Sequence, residues 1–277
     1  MNTKQYEGAP VIALIGRSGA GKDTQMRVLL ERFDAVNIST GDLTRALITT
    51  GSPLGLFAKG ILATGEWNFP SALDARSFFE ALGARPSPIG RFAAKLLGEN
   101  RIEFSVASDA KSYLLPDWMA LLLFLEGFEK IPPSRWVICS SSPRRLNEAH
   151  FMDEMVQSIG RPPLLPVYIH VDEDVAIERL LNRRWCKPCG IYALPSSVVV
   201  PRECERCGGA LSIREGDNDM ENIMGRLHYF KERVIPLLEY FDGLGRLIWI
   251  DGDQGPDAVS KSMIDQIHAR VVAMRFS

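Results

Sequence analysis

The chain has 277 residues, 46% of them hydrophobic and 24% charged, with Lys+Arg 32 against Asp+Glu 34. That length holds one large domain or two small ones, the hydrophobic share excludes a mostly disordered chain, and the net charge of −2 argues against a dedicated nucleic-acid binder. No stretch reaches the ~20 apolar residues of a membrane span, and residues 1–8 are polar with no apolar signal core, so a cytoplasmic protein with neither membrane nor nucleic-acid partners is expected.

Residues 10–16 (PVIALIG) form a short apolar run rich in β-branched side chains and closed by glycine, the pattern of a buried parallel strand. Residues 23–33 follow with helical spacing, Met26, Leu29, Leu30 and Phe33 sharing one side. Further strands are predicted at 35–39, 136–140, 165–171 and 246–250, and helices at 144–157, 172–182, 217–241 and 257–273. The alternation predicts an α/β fold, a doubly wound parallel sheet with helices on both faces. Two parts interrupt it. Residues 66–111 hold two amphipathic pieces, 72–82 and 89–97, between turns containing Pro and Gly. Residues 186–213 are dense in Cys, Pro and Gly, as a small inserted module would be.

The first strand runs into Gly16-Arg17-Ser18-Gly19-Ala20-Gly21-Lys22-Asp23-Thr24. Glycines let successive backbone N–H groups turn toward a polyphosphate, and the helix that begins near Gly21 adds its positive end. Lys22 reaches for the β- and γ-phosphates and the Thr24 hydroxyl for a magnesium ion. The general pattern has Ser or Thr directly after the lysine; here Asp23 intervenes. With a strand before it and a helix after it, the segment is a nucleotide-binding loop rather than a chance glycine-rich turn.

A second cluster, Asn37-Ile38-Ser39-Thr40-Gly41-Asp42-Leu43-Thr44-Arg45, ends a strand and opens a helix, with Thr40 able to cap it. Alone it reads as a cap followed by a solvated arginine. Together with the phosphate loop it resembles the adenylate kinases, which carry a GxxGxGKGTQ loop and an STGDxxR segment. The likeness continues through Leu114-Leu115-Pro116-Asp117 (the family's LVPD), Ser142-Pro143-Arg144-Arg145 (its FPRT) and Asp251-Gly252-Asp253-Gln254 (its DGTQ), and covers about 11–267 apart from 66–111.

The resemblance implies a P-loop kinase with a five-stranded core (9–39, 136–182 and 215–277), a monophosphate-binding subdomain (40–135) and a lid (183–214). It implies that Gly19, Ala20, Gly21, Lys22, Asp23 and Thr24 hold ATP, with Arg179 on its base and Gln254 beside it. Arg45 and Arg144 would hold the phosphate of the acceptor. Arg144, Arg183, Arg214 and Arg226 would close with Lys22 over the phosphoryl group in transfer. Thr40, the backbone near Leu115, and Glu148 would line the acceptor base. Such an enzyme takes ATP with Mg²⁺ and a nucleoside monophosphate, and a monomer is expected. The chemistry suits these residue types, because phosphoryl transfer needs alignment and charge neutralisation more than covalent catalysis.

Cys186-x-x-Cys189 and Cys204-x-x-Cys207 have the spacing of a tetrahedral Cys₄ zinc site. In a cytosolic chain such pairs indicate metal more than disulfides. A nucleic-acid-binding ribbon would need a basic face, whereas Lys187, Arg202 and Arg206 are offset by Glu203 and Glu205. Structural zinc that stiffens a lid is the better reading; Cys139 ends a strand and is expected in the core.

Three departures from the family pattern bear on function. DGFPR becomes Ser140-Ser141-Ser142-Pro143-Arg144, so the aspartate that positions magnesium-bound waters is a serine; Asp42 could supply part of the lost carboxylate. Glu148 stands where the family has a glutamine that reads adenine. A carboxylate only accepts hydrogen bonds, which suits guanine better, although Glu148 could equally be a solvated helix residue. One extra residue separates Arg214 from Asp217. The competing functions are a weak or inactive nucleotide-binding relative of the kinases and a zinc-ribbon ATPase acting on nucleic acid. The extra segment 66–111 reshapes the acceptor pocket or only enlarges that lobe.

Overall fold

The structure, a computed structural model, describes residues 6, 8–64, 74–104, 115–140, 142–189, 191–193, 202–213 and 219–276. The central sheet contains β1 (Val11–Ile15), β2 (Ala35–Ile38), β3 (Trp136–Cys139), β4 (Leu165–His170) and a last strand, β8 (Ile248–Asp251). All pair in parallel, in the order β2-β3-β1-β4-β8. These are the five strands expected from the apolar runs, with the last one shifted two residues at its start and one at its end.

Alternation along β1 explains the layers. Val11, Ala13 and Ile15 face one core, shared with α6 (Asp117–Glu129), α7 (Leu146–Ser158) and α10 (Ile235–Gly243). Ile12 and Leu14 face the other, shared with α1 (Lys22–Phe33), α8 (Glu173–Asn182) and α11 (Pro256–Phe276). Both faces of β1 are therefore covered, which is why its sequence is a continuous apolar run. A fully buried Arg161 closes the bottom of the sheet by donating to the carbonyls of Ala9, Pro132 and Arg135.

Between β2 and β3 lie α2 (Thr40–Thr49), α3 (Pro53–Thr64), α4 (Ala75–Gly83), α5 (Pro88–Gly98) and α6. The two amphipathic pieces of the extra segment are α4 and α5. Asp74 caps the first through the Arg76 N–H, and Ser87 caps the second through the Gly90 N–H. Phe79, Leu82, Phe92 and Leu96 are buried from this pair in the same core as Trp118 and Leu122. The rest of the segment, 66–73 and 105–111, falls outside the described residues. The pair is docked by charge as well: Arg85 meets Glu126 and Glu129 on α6, and Lys95 meets Glu154 on α7 at 2.7 Å.

The cysteine module follows α8 as a small antiparallel sheet, β5 (Arg184–Cys186) between β6 (Ile191–Ala193) and β7 (Leu211–Ser212). The helix expected at 217–241 is α9 (Met220–Tyr229) followed by a π-helical turn, Phe230–Val234, and α10. No single helix among the described residues is long and apolar enough to cross a membrane.

Candidate active site

Every strand-to-helix turn that carries a candidate residue lies at the carboxyl edge of the central sheet: residues 16–21 after β1, Ser39 after β2, Ser140 to Arg144 after β3, Asp172 after β4, and Gly252 to Gln254 after β8. Ligands of open α/β sheets bind at this edge, where the strand order reverses.

The phosphate loop has the conformation its glycines permit. Gly19 and Gly21 sit at φ of 86° and 83°, and a Cβ at Gly19 would lie 2.7 Å from the Ala176 carbonyl of α8. Ala20 is buried beneath the loop. Gly21 is the N-cap of α1 and offers no side chain to the first-turn N–H groups, of which that of Thr24 turns back to the Gly21 carbonyl at 3.0 Å. Asp23 and Thr24 follow, exposed. Lys22 Nζ donates to the carbonyls of Gly16 at 2.6 Å and Arg17 at 3.0 Å, so its ammonium lies over the loop. Burial pulls its pKa from 10.5 to about 8; Asp23 opposes this, and the charges of Arg144 and Arg183 reinforce it. The charges of Arg144 and Arg183 thus both act on Lys22.

Arg144 is half-buried ahead of α7, and Arg183 is the residue where α8 ends and the lid module begins. Arg226 is half-buried on α9. Arg214 lies outside the described residues. Arg179 donates from both terminal nitrogens to the Gly252 carbonyl at 3.1 Å, which sets its guanidinium beside the turn after β8. There Gln254 donates to Asp251 at 3.0 Å. Gly252 is required: a Cβ would meet the His170 carbonyl at 2.5 Å.

On the acceptor side the cap of α2 is Ser39, not Thr40. Its hydroxyl accepts from the Asp42 N–H at 3.4 Å, while Thr40 is already helical. The sequence motif fits both residues, and the extended backbone of Ser39 decides between them. Arg45, largely exposed, forms an ion pair with Asp42 one turn earlier. Asp42 is therefore engaged by an arginine in this structure. Leu115 is buried just before α6. Glu148, in the first turn of α7, accepts from the Arg144 N–H at 2.7 Å.

A cleft of about 800 Å³ lies between the end of α5, α6 and α7, with Ile102, Trp118, Leu121, Glu148 and Arg233 on its walls. Sequence reasoning did not single out Arg145 and Asn147, which both bind Asp117 at its mouth. Nor did it single out Arg17, whose guanidinium lies over the Phe230 ring and 3.6 Å from Glu173. Their partners are distant in sequence, so no local spacing betrays them.

In the lid, the Sγ atoms of Cys186, Cys189, Cys204 and Cys207 all lie within 4.8 Å of one another. The pairs Cys186–Cys207 and Cys189–Cys204 are 3.6 and 3.9 Å apart. A tetrahedron with Zn–S of ≈2.3 Å has edges of roughly 3.8 Å, whereas a disulfide needs about 2.05 Å. The donor set fits zinc. Cys139 is buried in β3, away from this group.

No protein-family model matches the chain. Among curated proteins it is similar to the adenylate kinase of Thermodesulfovibrio yellowstonii, 28% identical over 256 residues covering 91% of this chain and 96% of that protein. The adenylate kinase of Thermosipho melanesiensis is 28% identical over 261 residues, covering 92% and 98%. That of Bacillus subtilis is 27% identical over 245 residues, covering 88% and 91%.

Proposed function

We infer that this chain, a member of the adenylate kinase family, is a kinase that moves the γ-phosphoryl group of ATP to a nucleoside monophosphate. The observation that carries the reading is the convergence of Arg144 and Arg183 on Lys22, at the sheet edge where the glycine loop offers its amides.

The roles are those the resemblance to the adenylate kinases implies. The loop N–H groups from Gly19 to Thr24 cradle the ATP phosphates, and Lys22 leaves the Gly16 carbonyl for the β- and γ-oxygens. Magnesium enters as part of the MgATP substrate, next to Thr24. Arg179 lies against the ATP base beside Gln254. Arg45 exchanges Asp42 for the acceptor phosphate, and Arg144 holds that phosphate from the core side. An oxygen of the monophosphate attacks the γ-phosphorus, the bond to the β,γ-bridging oxygen breaks, and ADP leaves. Arg183, with Arg214 and Arg226, neutralises the equatorial oxygens meanwhile. Zinc held by the four lid cysteines keeps that element stiff as it closes, which excludes water from ATP. Thr40, Leu115 and Glu148 line the acceptor base; the family favours AMP, and Glu148 speaks for GMP. The division into a core, a monophosphate-binding part and a lid belongs to the same reading, as does a monomer acting in the cytoplasm.

The serine at position 140 favours a second reading, a nucleotide-binding relative with weak or no transfer. One assay separates the two. Purified protein with MgATP and a panel of monophosphates is expected to form nucleoside diphosphate, and Lys22→Ala is expected to abolish it. Formation from none of the monophosphates would sink the kinase reading; stimulation of ATP hydrolysis by RNA or DNA would point to the nucleic-acid class instead.

A further inference from the structure

Arg17 takes none of the roles assigned above, although it is a cation inside the phosphate loop. Its side chain is 11% exposed and lies between two elements that flank the cysteine module. On one side is Glu173, the first residue of α8, the helix that runs into the module; Arg17 Nη1 is 3.6 Å from its carboxylate. On the other is Phe230, which opens the π-helical turn after α9, the helix that runs out of the module; the guanidinium stands 5.3 Å from its ring centroid. Lys231, next in that turn, reaches the same Glu173 oxygen at 2.7 Å. One carboxylate thus serves a cation of the loop and a cation of the turn, and π-helical turns recur at functional sites. Tyr168 of β4 completes the enclosure. Its ring stacks on Phe230 with centroids 6.2 Å apart; burial raises the pKa of its hydroxyl and the Arg17 charge opposes the rise.

The two helices form one stem: Leu180 of α8 packs with Ile223 and Leu227 of α9 in a small apolar cluster of its own. The phosphate loop meets this stem at two points. At Gly19 the approach is close and unyielding, since a Cβ there would lie 2.7 Å from the Ala176 carbonyl. At Arg17 it is made by charge and by a ring face, because Nε and Nη1 have no hydrogen-bond partner among the described residues. The backbone of the same residue holds the loop together: the Arg17 carbonyl accepts from Lys22 Nζ at 3.0 Å and from the Ala20 N–H at 3.2 Å. We propose that Arg17 is a positioning residue that keeps the phosphate loop, and Lys22 with it, in register with the stem of the cysteine module. This rests on the kinase reading above, in which α8 carries Arg183 at its end toward the phosphoryl group in transfer. A link of this kind touches no substrate and still sets the rate, because in-line transfer slows steeply when a charge is displaced by about an ångström.

The test uses the full chain with MgATP and the best acceptor from a panel of monophosphates, together with calorimetric binding of MgATP alone. Arg17→Met keeps an apolar stem over Phe230 and removes the charge; Glu173→Gln leaves the loop untouched and removes the partner. Each is expected to lower kcat about tenfold while KM and affinity for MgATP stay within about twofold. The double variant should be no slower than Arg17→Met, the non-additivity of two residues acting through one contact. Arg17→Lys, which keeps the charge and loses the planar group, should fall between wild type and Arg17→Met. Weakened MgATP binding with kcat intact overturns the proposal and makes Arg17 a phosphate ligand. Unchanged kcat in both single variants overturns it too, as do losses that multiply in the double variant. If Arg17→Met does not fold, the kcat of Glu173→Gln decides. A wild-type chain that transfers to no monophosphate sinks the kinase reading and this proposal together; an active wild type with indifferent variants overturns the proposal and leaves the kinase reading in place.

Discussion

Arg101, just past the end of α5, donates to Glu154 of α7 at 2.8 Å, on the same carboxylate that Lys95 reaches at 2.7 Å. Burial opposes ionisation of Glu154, yet the two cations hold its carboxyl below the usual range. The extra segment is thereby fastened to the helix whose first turn bears Glu148, while Arg101 also covers the Phe151 ring. Each of these side chains is a third or more exposed or close to it, so solvent screens both pairs and their stabilisation is small. Glu154→Ala should therefore lower the unfolding temperature by about 2–4 °C. The KM for the acceptor should rise more than kcat falls, because the fastening positions the cleft wall and not the reacting groups. A variant that unfolds outright, or that changes kcat alone, would contradict this division of labour.

The depressed Lys22 carries a signature in the stability of the free enzyme. Its folded pKa, about 8, lies below the ordinary 10.5, so between those values the unfolded chain binds more protons than the folded one. Stability from this group therefore rises as pH goes from 8 to 10.5, and below pH 8 the full cost of the buried charge is present. Urea unfolding midpoints measured across pH 7 to 10.5 should show that rise in the wild-type chain and a flatter curve in Lys22→Met. The difference between the two curves isolates the lysine from other titrating groups. Parallel curves would mean that the ammonium is not desolvated in the loop.

The parts of the fold that repeat a local pattern were legible in the chain. The apolar run before Gly16 required a strand covered on both faces, and the spacing of Phe79, Leu82, Phe92 and Leu96 required two helices. The four cysteines, too, announced their common point by spacing alone. What could not be read depends on residues brought together across the chain. Arg246 forks onto Asp153 at 2.9 Å, 93 positions away, and Arg161 ties together three separate carbonyls. The cap of α2 was misplaced by one residue because Ser39 and Thr40 have the same chemistry and differ only in backbone angle. The glycine loop was legible because its conformation is written into consecutive positions, Gly19 and Gly21 both taking positive φ.

The lid cysteines predict a stoichiometric metal. Purified protein should carry one zinc per chain, and removing it with a strong chelator should lower the unfolding temperature, since metal binding to the folded form alone is folding free energy. Cobalt substitution should give the absorption of a tetrahedral thiolate site, and Cys207→Ser should weaken it. Since the four sulfurs sit on the lid sheet and not on the central sheet, loss of metal should leave binding of the acceptor in the absence of ATP nearly unchanged. Chain isolated with intact cysteines and no affinity for zinc or cobalt would remove the structural-metal assignment.

Ser140 sets the expected level of activity. It follows the last residue of β3 and is 8% exposed, in the place of the aspartate of the DGFPR pattern that the resemblance sets there to orient magnesium-bound water. A serine can hydrogen-bond such a water but brings no charge, and a charge-assisted bond exceeds a neutral one by enough to change a rate about tenfold. Turnover is expected to be lower than that of a typical adenylate kinase and to show a high magnesium requirement. Ser140→Asp should raise kcat and shift half-saturation by Mg²⁺ to lower concentration. It should also cost stability in the absence of nucleotide, because the new carboxylate is buried before its magnesium arrives. Measuring kcat against Mg²⁺ for both proteins decides the point: a wild-type rate that the substitution fails to increase means that the serine is not what limits the transfer.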